Sequence, residues 1–184
     1  MSLRDYINND IIYSPPIREL VDEHNLMERW LTLIPKIVES LEIDSDEDRQ
    51  ILLDSFDFIR SFIDKLHLTK EENEIFRYFD ENLDILKIMH DEHEKIRFYV
   101  KILMLAMEEK DKKAIAESLY GYKALLTDHI KNENEIIYPW MDRNLSKSQS
   151  KDLFSKFNEI NKNNHHELIK FKEFVKKVEK KLKS

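Results

Sequence analysis

This 184-residue chain contains no cysteine, only one glycine and only four prolines. The absence of cysteine excludes disulfides, thiolate metal sites and thiol catalysis, so any bound metal ion must rest on histidine and carboxylate donors. Because glycine and proline are scarce, the chain has few sites for tight turns. Long helices are therefore favoured over a fold with many strands.

Long apolar runs and a strong basic charge are missing as well. The chain has no run of about 18 apolar residues that would span a membrane, and its first residues lack the apolar core of a signal peptide. The formal net charge of −7 argues weakly against nucleic acid as a partner. Phosphate-binding glycine loops and serine or cysteine nucleophile motifs are absent. We therefore expect a cytoplasmic protein, monomeric or homodimeric, without membrane or nucleic-acid partners.

Apolar residues recur at alternating intervals of three and four positions, which is typical of helices that bury one face. The first helix is predicted at about residues 16–41 with a kink at Pro35, and the fourth is predicted to bury Ile136 and Trp140 near its end. Short polar segments separate the helices, so neighbours are expected to run antiparallel. The predicted fold class is all-α, an up-and-down four-helix bundle with an additional C-terminal fifth helix. The asparagine-rich run 161–164 is predicted to interrupt this fifth helix.

A pattern of acids and histidines occurs twice along the chain. The first copy comprises Asp22-Glu23-His24, then His67 and Glu71, and the second comprises Asp91-Glu92-His93, then His129 and Glu133. The run from His67 to Phe76 also aligns without gaps on the run from His129 to Tyr138. Residues four apart on a helix share one face, so each His-x-x-x-Glu pair can hold a metal ion. Two such pairs from two helices can hold two ions in a bundle core.

Each of these histidines falls on the apolar face of a different predicted helix, and Glu71 and Glu133 share two of those faces. A lone histidine on such a face is usually a core residue with satisfied hydrogen bonds. An unpaired buried carboxylate, however, costs several kcal/mol and an unsatisfied polar group about 1–3 kcal/mol, against a domain stability of about 5–15 kcal/mol. Divalent cations would supply the missing charge. The alternative is a buried His–Glu hydrogen-bond network without metal.

Imidazole and carboxylate donors without sulfur suit iron, manganese or zinc. A structural zinc site needs only about four ligands, so six or more convergent donors favour two ions. Glu71 and Glu133, from two different helices, are then the natural bridges. The predicted organisation is a single domain, with an N-terminal arm at residues 1–15, a four-helix metal-binding bundle at 16–142 and the C-terminal helix at 147–183.

The motifs resemble those of the hemerythrin-like domains, also called HHE cation-binding domains, over roughly residues 16–180. They are Glu23-His24, His67-x-x-Lys70-Glu71-Glu72 with Phe76, Met89-x-x-Glu92-His93-Glu94-x-x-Arg97, and His129-x-x-x-Glu133-Asn134-x-Ile136-Ile137-Tyr138-Pro139. The resemblance implies a four-helix bundle around a non-haem di-iron centre, with two iron ions as the cofactor. It implies as ligands His24, His67, Glu71, His93, His129 and Glu133.

The chain departs from the oxygen-carrying members of this family, which typically have a fifth histidine ligand. The candidates here are His90, which lies three residues before His93, and His165 or His166 in the predicted fifth helix. We favour His165 as a further metal ligand, because it keeps the helical spacing of the apolar face that begins at Leu168.

The resemblance implies a protein that binds or senses oxygen, nitric oxide or iron at the di-iron centre. A second hypothesis is a di-iron enzyme that acts on peroxide or nitric oxide or repairs iron–sulfur clusters. Family members implicated in that repair usually carry an N-terminal segment with cysteine, a residue that this chain lacks. The third hypothesis is a metal-free helical interaction module.

Overall fold

A computed structural model of the chain describes residues 12–182, and every regular element in this range is helical. The α-helices are α1 (Pro15–Leu31), α2 (Ile34–Ser40), α3 (Asp46–Asp57), α4 (Asp84–Glu108), α5 (Lys112–Asn132), α6 (Tyr138–Asn144), α7 (Lys147–Asn163) and α8 (His165–Lys181). π-Helical segments span Phe58–Leu68, Glu71–Ile75 and Glu133–Ile137, and a 3-10 turn spans Phe76–Tyr78. Most of the predicted N-terminal arm lies outside the described residues.

These elements form four rods and two additional helices. We call the rods rod 1 (residues 15–40), rod 2 (46–78), rod 3 (84–108) and rod 4 (112–144). Rods 3 and 4 pack along each other, while α7 and α8 pack against rods 1 and 2. The all-α bundle predicted from the sequence is therefore confirmed. The interruption predicted at residues 161–164 is confirmed, because Asn164 leaves the helical conformation with φ −114° and ψ 20° and divides the fifth helix into α7 and α8.

Rod 1 is interrupted close to the predicted kink. Proline has no N–H to donate to a carbonyl one turn earlier, and Pro35 would otherwise face the carbonyl of Leu31. Helix α1 ends at Leu31, and α2 begins at Ile34 with Pro35 in its first turn. His24 precedes this break and keeps the regular helical geometry of α1.

Rod 4 departs from the predicted register at the segment Glu133–Ile137. Ile136 was predicted to be buried, but 58% of its surface is exposed, whereas Ile137 and Tyr138 are buried. A π-helical turn accommodates one more residue than an α-helical turn, so it rotates the following side chains by one position. The prediction for Ile136 is wrong for this reason, and Tyr138 faces the bundle interior instead.

Buried apolar side chains form two clusters. One includes Trp30, Phe62 and Leu126, and the other includes Leu20 and Tyr138. Along every rod, the predicted metal ligands lie between residues of the first cluster and residues of the second. The polar centre is therefore enclosed by apolar side chains on both sides. No helix among residues 12–182 has the length and apolar character needed to cross a membrane.

Candidate metal centre

Six predicted site residues converge between the two apolar clusters. Each is at most 2% exposed to solvent, and they are His24, His67, Glu71, His93, His129 and Glu133. Every rod contributes one histidine, and rods 2 and 4 each add the glutamate that follows four residues later. Burial of this many ionisable groups together requires either a full set of hydrogen bonds or bound cations.

The donor atoms form two groups that share Glu133. The four-donor group contains Glu71, His93, His129 and Glu133, and the three-donor group contains His24, His67 and Glu133, with the donors of each group within 4.8 Å of one another. Glu133 Oε2 lies 3.2 Å from Nε2 of both His24 and His129. Glu71 Oε2 lies 3.4 Å from His93 Nε2 and 3.8 Å from His67 Nε2. Glu133, which belongs to both groups, thus has the placement that a bridge between two ions requires, and Glu71 lies between a histidine of each group.

Most of the nitrogen and oxygen atoms that point into the centre lack hydrogen-bond partners. These atoms are Nε2 of His67, His93 and His129, Oε2 of Glu71, and both carboxylate oxygens of Glu133. Each unsatisfied buried group costs about 1–3 kcal/mol, and native proteins contain few of them. A hydrogen-bond network without metal would satisfy these atoms, and this one does not. The residues present therefore fit a centre that is completed by cations.

Nδ1 of each histidine donates a hydrogen bond to a residue on a neighbouring rod. Three of the acceptors are carboxylates: His67 donates to Glu23 at 2.8 Å, His93 donates to Glu72 at 2.7 Å, and His129 donates to Glu92 at 2.7 Å. The fourth is an amide, because His24 donates to Asn134 at 2.8 Å. Ionised carboxylate and amide oxygens can only accept a hydrogen bond, so Nδ1 carries a proton, and in the neutral imidazole that binds a metal the lone pair is on Nε2. We call these four acceptors the outer ring.

The sequence motifs contained every residue of the outer ring but did not assign them this role. The sequence does contain a signal that could identify them, because each acceptor directly precedes or follows a predicted ligand on its own rod. Three acceptors are carboxylates, whereas the position equivalent to Glu72 in the second copy of the pattern is Asn134. His24 therefore has a neutral partner where His93 has an anionic one.

Two basic side chains support the outer ring. Lys70 is fully buried, and its Nζ donates to Glu23, to Glu19 at 2.6 Å and to Asn161 of α7 at 2.8 Å. Arg97 donates to both carboxylate oxygens of Glu72 at 3.0 Å. Burial alone would raise the pKa of Glu72, but the hydrogen bonds from His93 and Arg97 lower it to about 2.

Charge in the metal-free centre is balanced by protons. Burial, together with the charge of Glu71, raises the pKa of Glu133 to about 8. Burial opposes the charged form of His93, but the charge of Glu71 and the hydrogen bond with Glu72 outweigh burial and raise the pKa of His93 to about 10. For His24 burial prevails and lowers the pKa. At neutral pH Glu133 and His93 therefore hold protons that a metal ion must displace.

Metal binding is expected to release protons, and to release fewer as the pH rises. At about pH 7, below both raised pKa values, Glu133 and His93 are protonated, whereas coordination requires the ionised carboxylate and the neutral imidazole. As the pH passes about 8 and then about 10, these protons are already absent before binding. Calorimetric titration with manganese(II), in buffers of different ionisation enthalpy, measures the protons released at each pH. Equal release at about pH 7 and about pH 9 would contradict this charge assignment.

The histidines considered as a fifth ligand do not reach the centre. His165 is exposed at the first position of α8, because the chain breaks at Asn164 and a new helix starts there. The side chain of His166 is 93% exposed and lies near Glu167. His90 is exposed too, with its ring edge-on to Phe76 at 5.4 Å. The structure thus brings together six of the seven predicted ligands and leaves out His165.

A four-helix bundle with buried imidazoles and carboxylates between its rods defines a class of helical cation-binding proteins. The profile of the hemerythrin HHE cation-binding domain matches residues 15–141. The chain therefore belongs to the hemerythrin HHE family, as the sequence motifs indicated.

Similar curated proteins include uncharacterized proteins from Mycobacterium bovis and from two strains of Mycobacterium tuberculosis. Each is 21% identical to this chain over 148 residues, which is 76% of this chain and 58% of the relative. The chain thus spans less than two thirds of the length of these relatives. No solved structure matches it significantly.

Proposed function

We propose that this protein binds two iron ions at the centre described above and uses them to bind or sense oxygen, nitric oxide or iron. One ion would be held by the four-donor group and the other by the three-donor group, with Glu133 shared between them. The observation that supports this proposal is the convergence of buried donor atoms without hydrogen-bond partners. Iron supplies the one-electron and oxygen chemistry that such side chains cannot perform themselves.

The surroundings of the centre favour a small ligand. The six residues are at most 2% exposed, and apolar clusters lie on both sides along the rods, so bulk water and large substrates are kept away. The outer ring fixes the orientation of each imidazole through a hydrogen bond of 2.7–2.8 Å. A diatomic molecule is of the size that such an enclosed site can admit.

Metal analysis after expression with ample iron is the direct test of this proposal. We expect about two irons per chain, as in other bundles with paired His and Glu motifs. His67→Ala should lose the ion of the three-donor group and keep the other, because His67 belongs to that group alone. His90→Ala and His165→Ala are matched controls that should keep the full content, since both side chains are exposed.

Two results would reject the proposal or its ligand assignment. Wild-type protein without metal after iron-rich expression would support a metal-free interaction module instead. Loss of iron in His165→Ala, with none lost in His67→Ala, would show that the ligands are wrongly assigned.

For protein that does bind iron, an optical titration separates ligand binding from turnover, because an enzyme consumes peroxide continuously whereas a binding protein reaches a fixed endpoint.

A further inference from the structure

Tyr138 places a buried phenol next to the three-donor group. The residue is 0% exposed. Its hydroxyl donates to Glu71 Oε1 at 2.6 Å and lies 3.4 Å from His24 Nε2. The rings of Tyr138 and His24 stack, with centroids 5.2 Å apart and planes 12° from parallel. The phenol oxygen is therefore held against the nitrogen that His24 presents to the centre.

The two donor groups are unequal without this oxygen. One group has four donor residues, and the other has only His24, His67 and Glu133. Two donors at right angles, each about 2.1 Å from one ion, lie about 3 Å apart. The Tyr138 oxygen lies 3.4 Å from Nε2 of His24, a donor of the same group, and this distance is close to that value. The oxygen is thus spaced as a neighbouring ligand on a shared ion would be.

We propose that Tyr138 is a metal ligand, which completes the three-donor group by binding as a phenolate. This inference rests on the proposed di-iron function. On binding, the O–H bond of the phenol breaks and a metal–oxygen bond forms. The phenol proton, which Glu71 Oε1 accepts in a hydrogen bond, is released to solvent as the cation takes its place. The step is an exchange of a proton for a cation and requires no oxidant or reductant.

The internal repeat supplies a natural comparison for Tyr138. Phe76 occupies the equivalent position after the first His-x-x-x-Glu motif. It stacks on His93 with centroids 6.0 Å apart and planes 15° from parallel, which resembles the arrangement of Tyr138 on His24. The four-donor group therefore tolerates a phenyl ring where the three-donor group has a phenol. Tyr138→Phe should remove one oxygen and preserve the packing.

The experiment uses the full chain loaded with ferrous iron and oxidised in air. Wild-type protein should show a visible phenolate-to-iron(III) charge-transfer band, and resonance Raman excitation within that band should enhance tyrosine ring modes. Tyr138→Phe should lose both signals and should bind the ion of the three-donor group at least about tenfold less tightly. Tyr122→Phe is the matched control, because Tyr122 is also buried but belongs to the other apolar cluster. It should keep the band, the ring modes and the iron.

Each outcome decides between the two proposals. A wild-type protein with two irons but without tyrosine ring modes, or an unchanged band in Tyr138→Phe, would overturn the role of Tyr138 and leave the proposed function intact. Wild-type protein that binds no iron would overturn both. If Tyr138→Phe does not fold, as judged by circular dichroism, the Raman spectrum of the wild-type protein still decides, because it requires no variant.

Discussion

Replacing Glu133 with glutamine is expected to abolish the binding of both metal ions. Glu133 is the residue common to the two donor groups, and a neutral amide is a poor donor that cannot supply the charge of a bridging carboxylate. His24→Ala, by contrast, should lose only the ion of the three-donor group. At a free metal concentration about 100 times the Kd, each bound ion stabilises the fold by about 2.7 kcal/mol. Loss of both should lower Tm by about 10–20 °C.

The metal-free protein provides the control for Glu133→Gln. Burial and the charge of Glu71 raise the pKa of Glu133 to about 8, so the metal-free wild type already has a protonated Glu133 at neutral pH. Glutamine closely matches that protonated acid, and the two proteins should melt at similar temperatures in chelator. Glu135→Gln, at an exposed position in the same π-helical segment, should retain its metal. A metal-loaded Glu133→Gln with the wild-type Tm would refute the shared role of Glu133.

Replacing Lys70 with methionine is expected to destabilise the protein by about 3–5 kcal/mol, because it leaves buried carboxylates without their counter-charge. For a domain of this length the corresponding fall in Tm is about 6–20 °C. Lys70 is 0% exposed, and Glu23, its partner, is 8% exposed. Burial would raise the pKa of Glu23, but hydrogen bonding by His67 and the charge of Lys70 outweigh burial and lower it. Chemical denaturation at neutral pH measures the effect.

Two further variants and a pH series identify the cause of that loss. Lys65→Met removes an exposed ammonium from the same rod and should change stability by no more than about 0.5 kcal/mol. Lys70→Met combined with Glu23→Gln should recover part of the loss, since no unpaired Glu23 charge remains. The deficit of Lys70→Met should also shrink as the pH falls through the carboxyl range, because protonated Glu23 needs no counter-charge. A deficit that is independent of pH would indicate lost packing instead.

The rods and six of the proposed ligands followed from sequence because helical periodicity assigns residues to faces. His24, His67, His93 and His129 recur with the apolar residues of their rods, and the cost of burying them pointed to cations. That argument needs only spacing and burial. It does not need the packing angles of the rods, which a single sequence does not contain.

Other features depend on tertiary contacts or on local backbone geometry. His165 satisfied the spacing rule, but the break at Asn164 starts a new helix in which that histidine is exposed. Ile136 is exposed and Tyr138 is buried because a π-helical turn adds one residue at Glu133–Ile137. The pairing of each histidine with an acceptor on a neighbouring rod requires knowing which rods are adjacent. Periodicity within one helix carries no such information.

The outer ring has a consequence for the topology of the bundle. Its hydrogen bonds follow one direction around the bundle. The acceptor on rod 1 binds the histidine of rod 2, the acceptor on rod 2 binds that of rod 3, and the acceptor on rod 3 binds that of rod 4. Asn134 on rod 4 then accepts from His24 on rod 1. A bundle wound with the opposite handedness would keep the same neighbouring rods but place each on the other side, so the acceptors would face away from the imidazoles that they bind here. These polar contacts therefore favour the handedness of the fold independently of a bound ion.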